Sequence, residues 1–244
     1  MPRFFVPSEN FSEDRVNITG QDAFHIARAL RMAVGDEITV ADMQGREHLC
    51  RLTKIRDEAC ECLILSSCDG KTESPIDITL FMAYPKGDKL ETVIQKAVEL
   101  GAHRIVPFES SRCVKRPRAD KAEKQNARLS RIAEEAAKQC GRARLPMVLP
   151  PISFDEMLTE ARKSELSLFC YEGDGTKSLK LVLEENNAAR SVSVTVGCEG
   201  GFSLDEAKRA GDSGLIQVNL GPRILRCETA PSYVLSAISY FFEL

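Results

Sequence analysis

The amino-acid sequence predicts an α/β protein: a small, mostly β domain, then a mostly parallel sheet covered by helices on both faces. Three observations predict it. Short runs in residues 1–70 alternate apolar with polar positions. Residues 66–75, SSCDGKTESP, are polar and rich in turn formers. From residue 76 onward, apolar strand patterns alternate with amphipathic helical ones. The predicted domains are therefore 1–70 and 76–244, with a linker between them.

In the first domain Val16, Asn17 and Ile18 make a strand. A helix follows over 22–32, with Phe24, Ala27, Leu30 and Arg31 at helical spacing, and Gly35-Asp36 makes a turn. Residues 37–41, 47–54 and 61–65 alternate as strands do, with Met43-Gln44-Gly45 linking the first two. The second domain opens on a strand over 76–83. Leu90, Val93, Ile94, Ala97 and Val98 then form one stripe of a helix that Gly101 terminates. A strand over 103–108 precedes a long helix, 122–140, that packs Leu129, Ile132, Ala133, Ala136 and Cys140. Helices over 153–162, near 177–185 and over 204–210 alternate with strands over 166–171, 191–196 and 215–218, and a final helix runs to 242. Such alternation favours a parallel sheet buried on both faces.

Composition narrows the function. The chain has 244 residues, 28% charged and 43% hydrophobic, a profile of globular domains rather than of collagen or low-complexity disorder. No run reaches the ~20 apolar residues that cross a bilayer, and no signal peptide is visible, so a cytoplasmic protein without a membrane partner is expected. Most of the nine cysteines lie singly in apolar or helical stretches (Cys50, Cys113, Cys140, Cys170, Cys198, Cys227), and Cys60 and Cys62 share one face of a strand. An odd, scattered set suits a reducing compartment, not a disulfide framework, and no Cys/His spacing predicts a metal. The three histidines sit in neither a G-x-S-x-G nor an H-E-x-x-H context, which disfavours a histidine-based hydrolase.

The net charge of -3 conceals a basic middle: residues 101–150 hold 12 Lys/Arg against 5 Asp/Glu. Arg112, Lys115, Arg116 and Arg118 in a loop continue into Lys121, Lys124, Arg128, Arg131, Lys138, Arg142 and Arg144. This is a band that suits phosphate contacts or, more simply, a solvated helix face.

Two glycine-containing motifs follow strands. In VSVTVGCEGGF, 192–202, an apolar strand runs into Gly197, Gly200 and Gly201, and Ser203 and Glu206 have capping-box spacing. Open α/β sheets bind ligands at such carboxyl ends. The pattern is neither G-x-G-x-x-G nor a phosphate-cradling P-loop, and Glu199 makes a polar or cationic ligand more plausible than an anion. In NLGPRILRCETA, 219–230, Arg223, Arg226 and Glu228 precede a helix with proline in its first turn. Ile224 and Leu225 between the arginines are too apolar for a free loop.

Together with MPRFF, FHIARALRMAVGD, KGDKLETVIQKAVELGAHRIVPFESSRCV and RLSRIAEEAAKQCGRARLP, these motifs make the chain resemble, over nearly its whole length, a family of SPOUT-fold methyltransferases. That family modifies N3 of a uridine in small-subunit (16S) ribosomal RNA. One departure is clear: the family usually has Gly-Pro-Glu-Gly-Gly, and Cys198 here replaces the proline, which loosens φ in the loop.

The resemblance implies a PUA-like RNA-binding β domain and a SPOUT domain with a deep trefoil knot. It also implies a homodimer, S-adenosylmethionine as cofactor and S-adenosylhomocysteine as product. By motif position the cofactor would lie against Leu168, Tyr171, Gly197, Glu199, Gly200, Leu220, Gly221, Ile224, Leu225 and Arg226. Arg226 is expected to stabilise charge on the uracil oxygens, Arg112 and Arg142 to orient phosphate or base, and Glu228 or Glu199 to accept the N3 proton. The RNA partner would be small-subunit ribosomal RNA, in an assembled small subunit or as free RNA. A non-catalytic RNA-binding factor and a ribose 2′-O-methyltransferase of the same fold are the rival readings.

Overall fold

The computed structural model describes residues 1–114 and 122–244, so Lys115, Arg116, Arg118 and Lys121 of the basic band lie outside the described residues. The chain divides into two compact units, 1–73 with 137–145, and 74–136 with 146–244.

The first unit holds a five-stranded sheet. Its strands are β1 (Arg3–Phe5), β2 (Arg15–Thr19), β3 (Glu37–Ala41), β4 (Arg46–Ile55) and β5 (Ala59–Asp69), in the order β1-β3-β4-β5-β2. Alternation sends Val16, Ile18, Ile38, Val40, Leu52, Cys60 and Cys62 into one core. Two expectations change here. Residues 66–69, read as the start of a linker, continue β5 and pair with β4 from Leu49 to Arg46, because backbone pairing needs no apolar side chain. The helix predicted over 22–32 is α1 (Gly20–Phe24) followed by a π-helical turn, His25–Ala29. The Leu30 N–H donates to His25 O at 2.9 Å, a five-residue step that breaks the 3.6-residue phase. Ala23 and Ile26 are therefore buried, whereas Phe24 and Leu30 are exposed.

Segment 137–145 joins this unit through Glu73. The Arg142 guanidinium reaches Glu73 Oε2 at 2.7 Å, and the Ala143 and Arg144 N–H groups donate to Glu73 Oε1 at 2.9 and 3.0 Å. Burial alone would push the Glu73 carboxyl up; Arg142 and the two amides hold it below its ordinary value instead.

The second unit carries β6 (Asp77–Ala83), α2 (Lys89–Glu99), β7 (Arg104–Glu109), α3 (Ala122–Cys140, its last turn in the first unit) and the two-residue strands β8 (Met147–Val148) and β9 (Ile152–Ser153). It continues with α4 (Phe154–Ala161), β10 (Leu166–Cys170), β11 (Lys177–Ser178), α5 (Leu179–Glu185), β12 (Ser191–Val196), α6 (Leu204–Asp212), β13 (Ile216–Asn219) and α7 (Thr229–Glu243). The order is β11-β13-β10-β12-β6-β7-β8, with β9 also on β7, and every recorded pairing is parallel. The five apolar positions predicted for α2 are all buried. On α3 Leu129, Ala133 and Ala136 are buried, while Ile132 and Cys140 are only half-buried. Because β13, β10 and β12 are neighbours and run the same way, their carboxyl ends emerge side by side. That edge carries the site.

Candidate active site

A cavity of about 520 Å³ opens at this edge, within the roughly 300–1,000 Å³ common for small-molecule sites. Its walls are the loops that follow β10, β12 and β13, together with Lys89 at the start of α2.

The loop after β12 is closed on itself. The Gly201 N–H donates to Cys198 O at 2.9 Å, and Gly201 has φ +61°. The left-handed backbone favours glycine there, and a Cβ would sit 2.9 Å from Glu172 Oε1, which the exposed carboxylate would have to vacate. At Gly200 a Cβ would lie 3.1 Å from the Arg112 Cβ, and the Arg112 guanidinium donates to Gly200 O at 2.8 Å. These glycines thus serve the protein's own packing. Phe202 anchors the loop against Phe169, with ring centroids 4.2 Å apart. The capping box forms as predicted: Glu206 N–H to Ser203 Oγ at 3.1 Å, and Ser203 N–H to Glu206 Oε2 at 2.9 Å. Glu206 accepts two more bonds from Ser111, from its N–H at 2.7 Å and its hydroxyl at 2.8 Å. Burial would push this carboxyl up, and the Ser111 and Ser203 donors hold it down.

The loop after β13 is open. Arg226 O accepts from Thr229 and Ala230 N–H at 2.8 and 2.9 Å, which starts α7. From Arg223 to Arg226 no amide has a hydrogen-bond partner among the described residues. Ile224 is 88% exposed, and neither Arg223 nor Arg226 has an ion-pair partner among the described residues.

Lys89 connects the two loops. Its ammonium lies 3.0 Å from Glu199 Oε1 and 3.3 Å from Glu228 Oε2. Glu199 also accepts the Lys86 N–H on both oxygens, at 3.1 and 3.3 Å. Hydrogen bonding to Glu199 and Glu228 raises the Lys89 pKa. Glu228, which accepts from the Cys227 thiol at 3.2 Å, is held below its ordinary value by that bond first and by Lys89 as well.

Of the residues expected at a cofactor, Tyr171, Gly197, Glu199, Leu220, Gly221, Ile224, Leu225 and Arg226 line the cavity, and so does Glu228. Leu168 does not. It is fully buried inside β10, below the rim that Cys170 and Tyr171 reach. Gly200 turns away from the lining, towards Arg112, which holds the loop from behind. Arg142 lies in the first unit, 3% exposed, its guanidinium committed to Glu73.

Among the described residues, part of the basic band is neutralised. Arg128 pairs with Glu91 at 2.9 Å, Arg131 with Glu135 at 3.3 Å and Lys138 with Asp22 at 2.9 Å, as a solvated helix face would have it. Sequence reasoning missed Lys89 and Glu172. A signal for Lys89 existed: a cation in the first turn of a helix opposes the macrodipole, so acids from elsewhere must hold it.

Among the described residues no group of His, Cys, Asp or Glu could hold a metal ion, all nine cysteines are free, and no helix is long and apolar enough to cross a membrane.

Comparison with known proteins supplies the family. Residues 72–239 match the RNA methyltransferase domain family and residues 18–65 the RNA methyltransferase PUA domain family. The chain is 36% identical to the ribosomal RNA small subunit methyltransferase E of Bacillus subtilis over 93% of this chain and 91% of that one. The crystal structure of the Neisseria gonorrhoeae ribosomal RNA small subunit methyltransferase E, bound to S-adenosyl methionine, superimposes with TM-score 0.88 at 33% identity, covering 99% and 98% of the two chains. A putative methyltransferase from Legionella pneumophila, in complex with the same cofactor, gives TM-score 0.87 at 28% identity, covering 98% and 96%. A PUA-like unit, a mostly parallel sheet and a cavity formed by both glycine motifs agree with these likenesses: the chain belongs to the ribosomal RNA small subunit methyltransferase E family.

Proposed function

We propose that this chain transfers a methyl group from S-adenosylmethionine to N3 of a uridine in small-subunit (16S) ribosomal RNA, as a step of ribosome biogenesis in the cytoplasm. The observation that carries the reading is the convergence of the two motifs, CEGG and LGPRILRCET, on one cavity at the sheet's carboxyl edge.

The residues present fit the cofactor in kind. Val196, Leu220 and Leu225 offer apolar wall for a purine, and the unpaired amides of the open loop offer donors for its polar atoms. Glu172, Glu199 and Glu228 suit a cationic ligand. When bound, the cofactor supplies a methyl group already activated by a sulfonium leaving group, so the protein's task is placement and charge. Uracil N3 attacks only as its proton leaves, which puts negative charge on the flanking oxygens. In this reading Arg226, on the cavity wall, stabilises that charge, and Arg112 holds the Gly200 turn. Arg142, locked on Glu73, is assigned to the architecture of the first unit rather than to the base.

A homodimer completes the reading. Tyr233 and Tyr240, seven residues apart on one face of α7, are 45% and 73% exposed, an apolar face that a second copy would cover. Sedimentation at micromolar concentration is expected to show a species of twice 27.0 kDa; a monomer alone contradicts it.

The function is tested with labelled cofactor and small ribosomal subunits isolated without the modification, followed by nucleoside analysis. Label in 3-methyluridine is expected. Label on a ribose oxygen would transfer the chain to the 2′-O class, and cofactor binding without transfer to any RNA would leave a binding factor.

A further inference from the structure

The two carboxylates at the cavity are not equivalent. Glu199 is tethered: Oε1 takes the Lys86 N–H and the Lys89 ammonium, and Oε2 shares the same Lys86 N–H. A carboxylate pinned by a backbone amide on both oxygens is a poor place to deliver a proton. Glu228 differs. Its Oε2 accepts from Lys89 and from the Cys227 thiol, no amide of another residue tethers it among the described residues, and the residue lines the cavity two positions after Arg226. Lys89 is the group common to both, a cation anchored on the tethered acid and extended to the other.

We propose that Lys89 is a positioning residue that holds Glu228 at the cavity from its anchor on Glu199, and that Glu228, not Glu199, takes the N3 proton. This rests on the methyl-transfer reading above. In the step, uracil N3 bonds to the methyl carbon while the carbon–sulfur bond breaks with its electron pair left on sulfur. The N3 proton passes to the Glu228 carboxylate. The cationic cofactor and the carboxylate thus become neutral thioether and neutral acid, so charge balances. Lys89 then keeps its ion pair with Glu199, and neutralising Glu228 strands no buried cation.

Four variants separate the roles, read by calorimetric binding of S-adenosylhomocysteine and by the single-turnover rate at saturating cofactor. Loss of a general base predicts that Glu228→Gln lowers the rate by about 100-fold or more, with product affinity within about threefold of the parent. Glu199→Gln is expected to weaken binding, because its loop loses the Lys86 tether, and to leave the saturating rate within about tenfold, as for a group outside proton transfer. Lys89→Met should lower the saturating rate by about tenfold or more, and Lys89→Arg should recover most of it by restoring a cation between the two acids. A parental saturating rate in Lys89→Met, or an equal rate loss in Glu199→Gln and Glu228→Gln, overturns the assignment. Those results leave the methyl-transfer reading standing. A parental protein that binds S-adenosylhomocysteine yet methylates nothing overturns that reading, and this assignment with it.

Discussion

The loop after β12 and the loop after β13 line the same cavity and are built on opposite plans. In 197–202 the turn closes on its own backbone, Arg112 holds Gly200, Phe202 packs among aromatic rings, and Glu199 and Glu206 each gather several hydrogen bonds. In 220–226 the amides after Gly221 are unpaired among the described residues, and Ile224 and both arginines face outwards. One wall is finished by the fold. The other has polar groups and apolar surface to spend on something that binds. A rigid wall fixes where a ligand sits, and an unfinished one lets ligand binding supply the missing order.

The largest effect expected from this contrast is catalytic. Arg226→Ala removes a side chain from the open loop and should lower methyl transfer by about 100- to 1,000-fold at saturating cofactor, the scale seen when one transition-state donor is deleted. The melting temperature should barely move, because an exposed side chain without an ion-pair partner contributes within about 0.5 kcal/mol of stability. A matching loss of stability would mean that the loop is structural. Next comes Gly201→Ala, in the closed loop. The left-handed backbone alone costs about 1–2 kcal/mol for a residue with a Cβ, and the Glu172 carboxylate must also retreat. Here denaturation should register the change before kinetics do, with cofactor affinity falling in parallel.

Acid should act on the closed loop and on the first unit. The carboxyls of Glu206 and Glu73 are both held below the ordinary value of 4.5 in the folded protein. Their contribution to stability is therefore complete above that pH and is lost as pH falls through the lowered folded value. Urea titrations at pH 7 and in the acid range should show the loss, and Glu206→Gln should flatten the dependence, with a stability cost of about 1–3 kcal/mol at neutral pH. The smallest effect concerns Cys198. Cys198 and Gly201 face each other in a one-residue antiparallel bridge, so a proline there gives up the Cys198 N–H. The Cys113 thiol, hydrogen-bonded to Cys198, holds the Cys198 thiol below its usual range, and Cys198→Pro gives up that contact. The stiffer unfolded chain offsets those losses by about 0.4–1 kcal/mol, so a stability change of no more than about 1 kcal/mol is expected by urea denaturation, with cofactor affinity by calorimetry close to the parent's.

What the amino-acid sequence made readable was whatever repeats. The stripe from Leu90 to Val98 and the run of Ser191–Val196 followed from period alone, and the capping box at Ser203 and Glu206 followed from spacing. Elements two or three residues long, such as β1, β8, β9 and β11, offer no period to detect. The π-helical turn at His25 shifted a phase that periodicity assumes constant. The roles of charges were the least legible. Arg142 and Lys89 are both cations near glycine-rich or helical segments, yet one is buried on Glu73 and the other bridges two acids, partners 69 and more than 100 residues away. Ion-pair partners so distant belong to the fold, and sequence spacing holds no record of them.

Hydrogen exchange of the backbone amides with and without S-adenosylhomocysteine tests the central claim most directly, because it reads both walls of the cavity in one experiment. Strong protection of 220–226 on binding, with little change in 197–202, is the expected result. Protection confined to other parts of the chain, or none at 220–226 under saturating ligand, would contradict the placement of the cofactor and the account built on it.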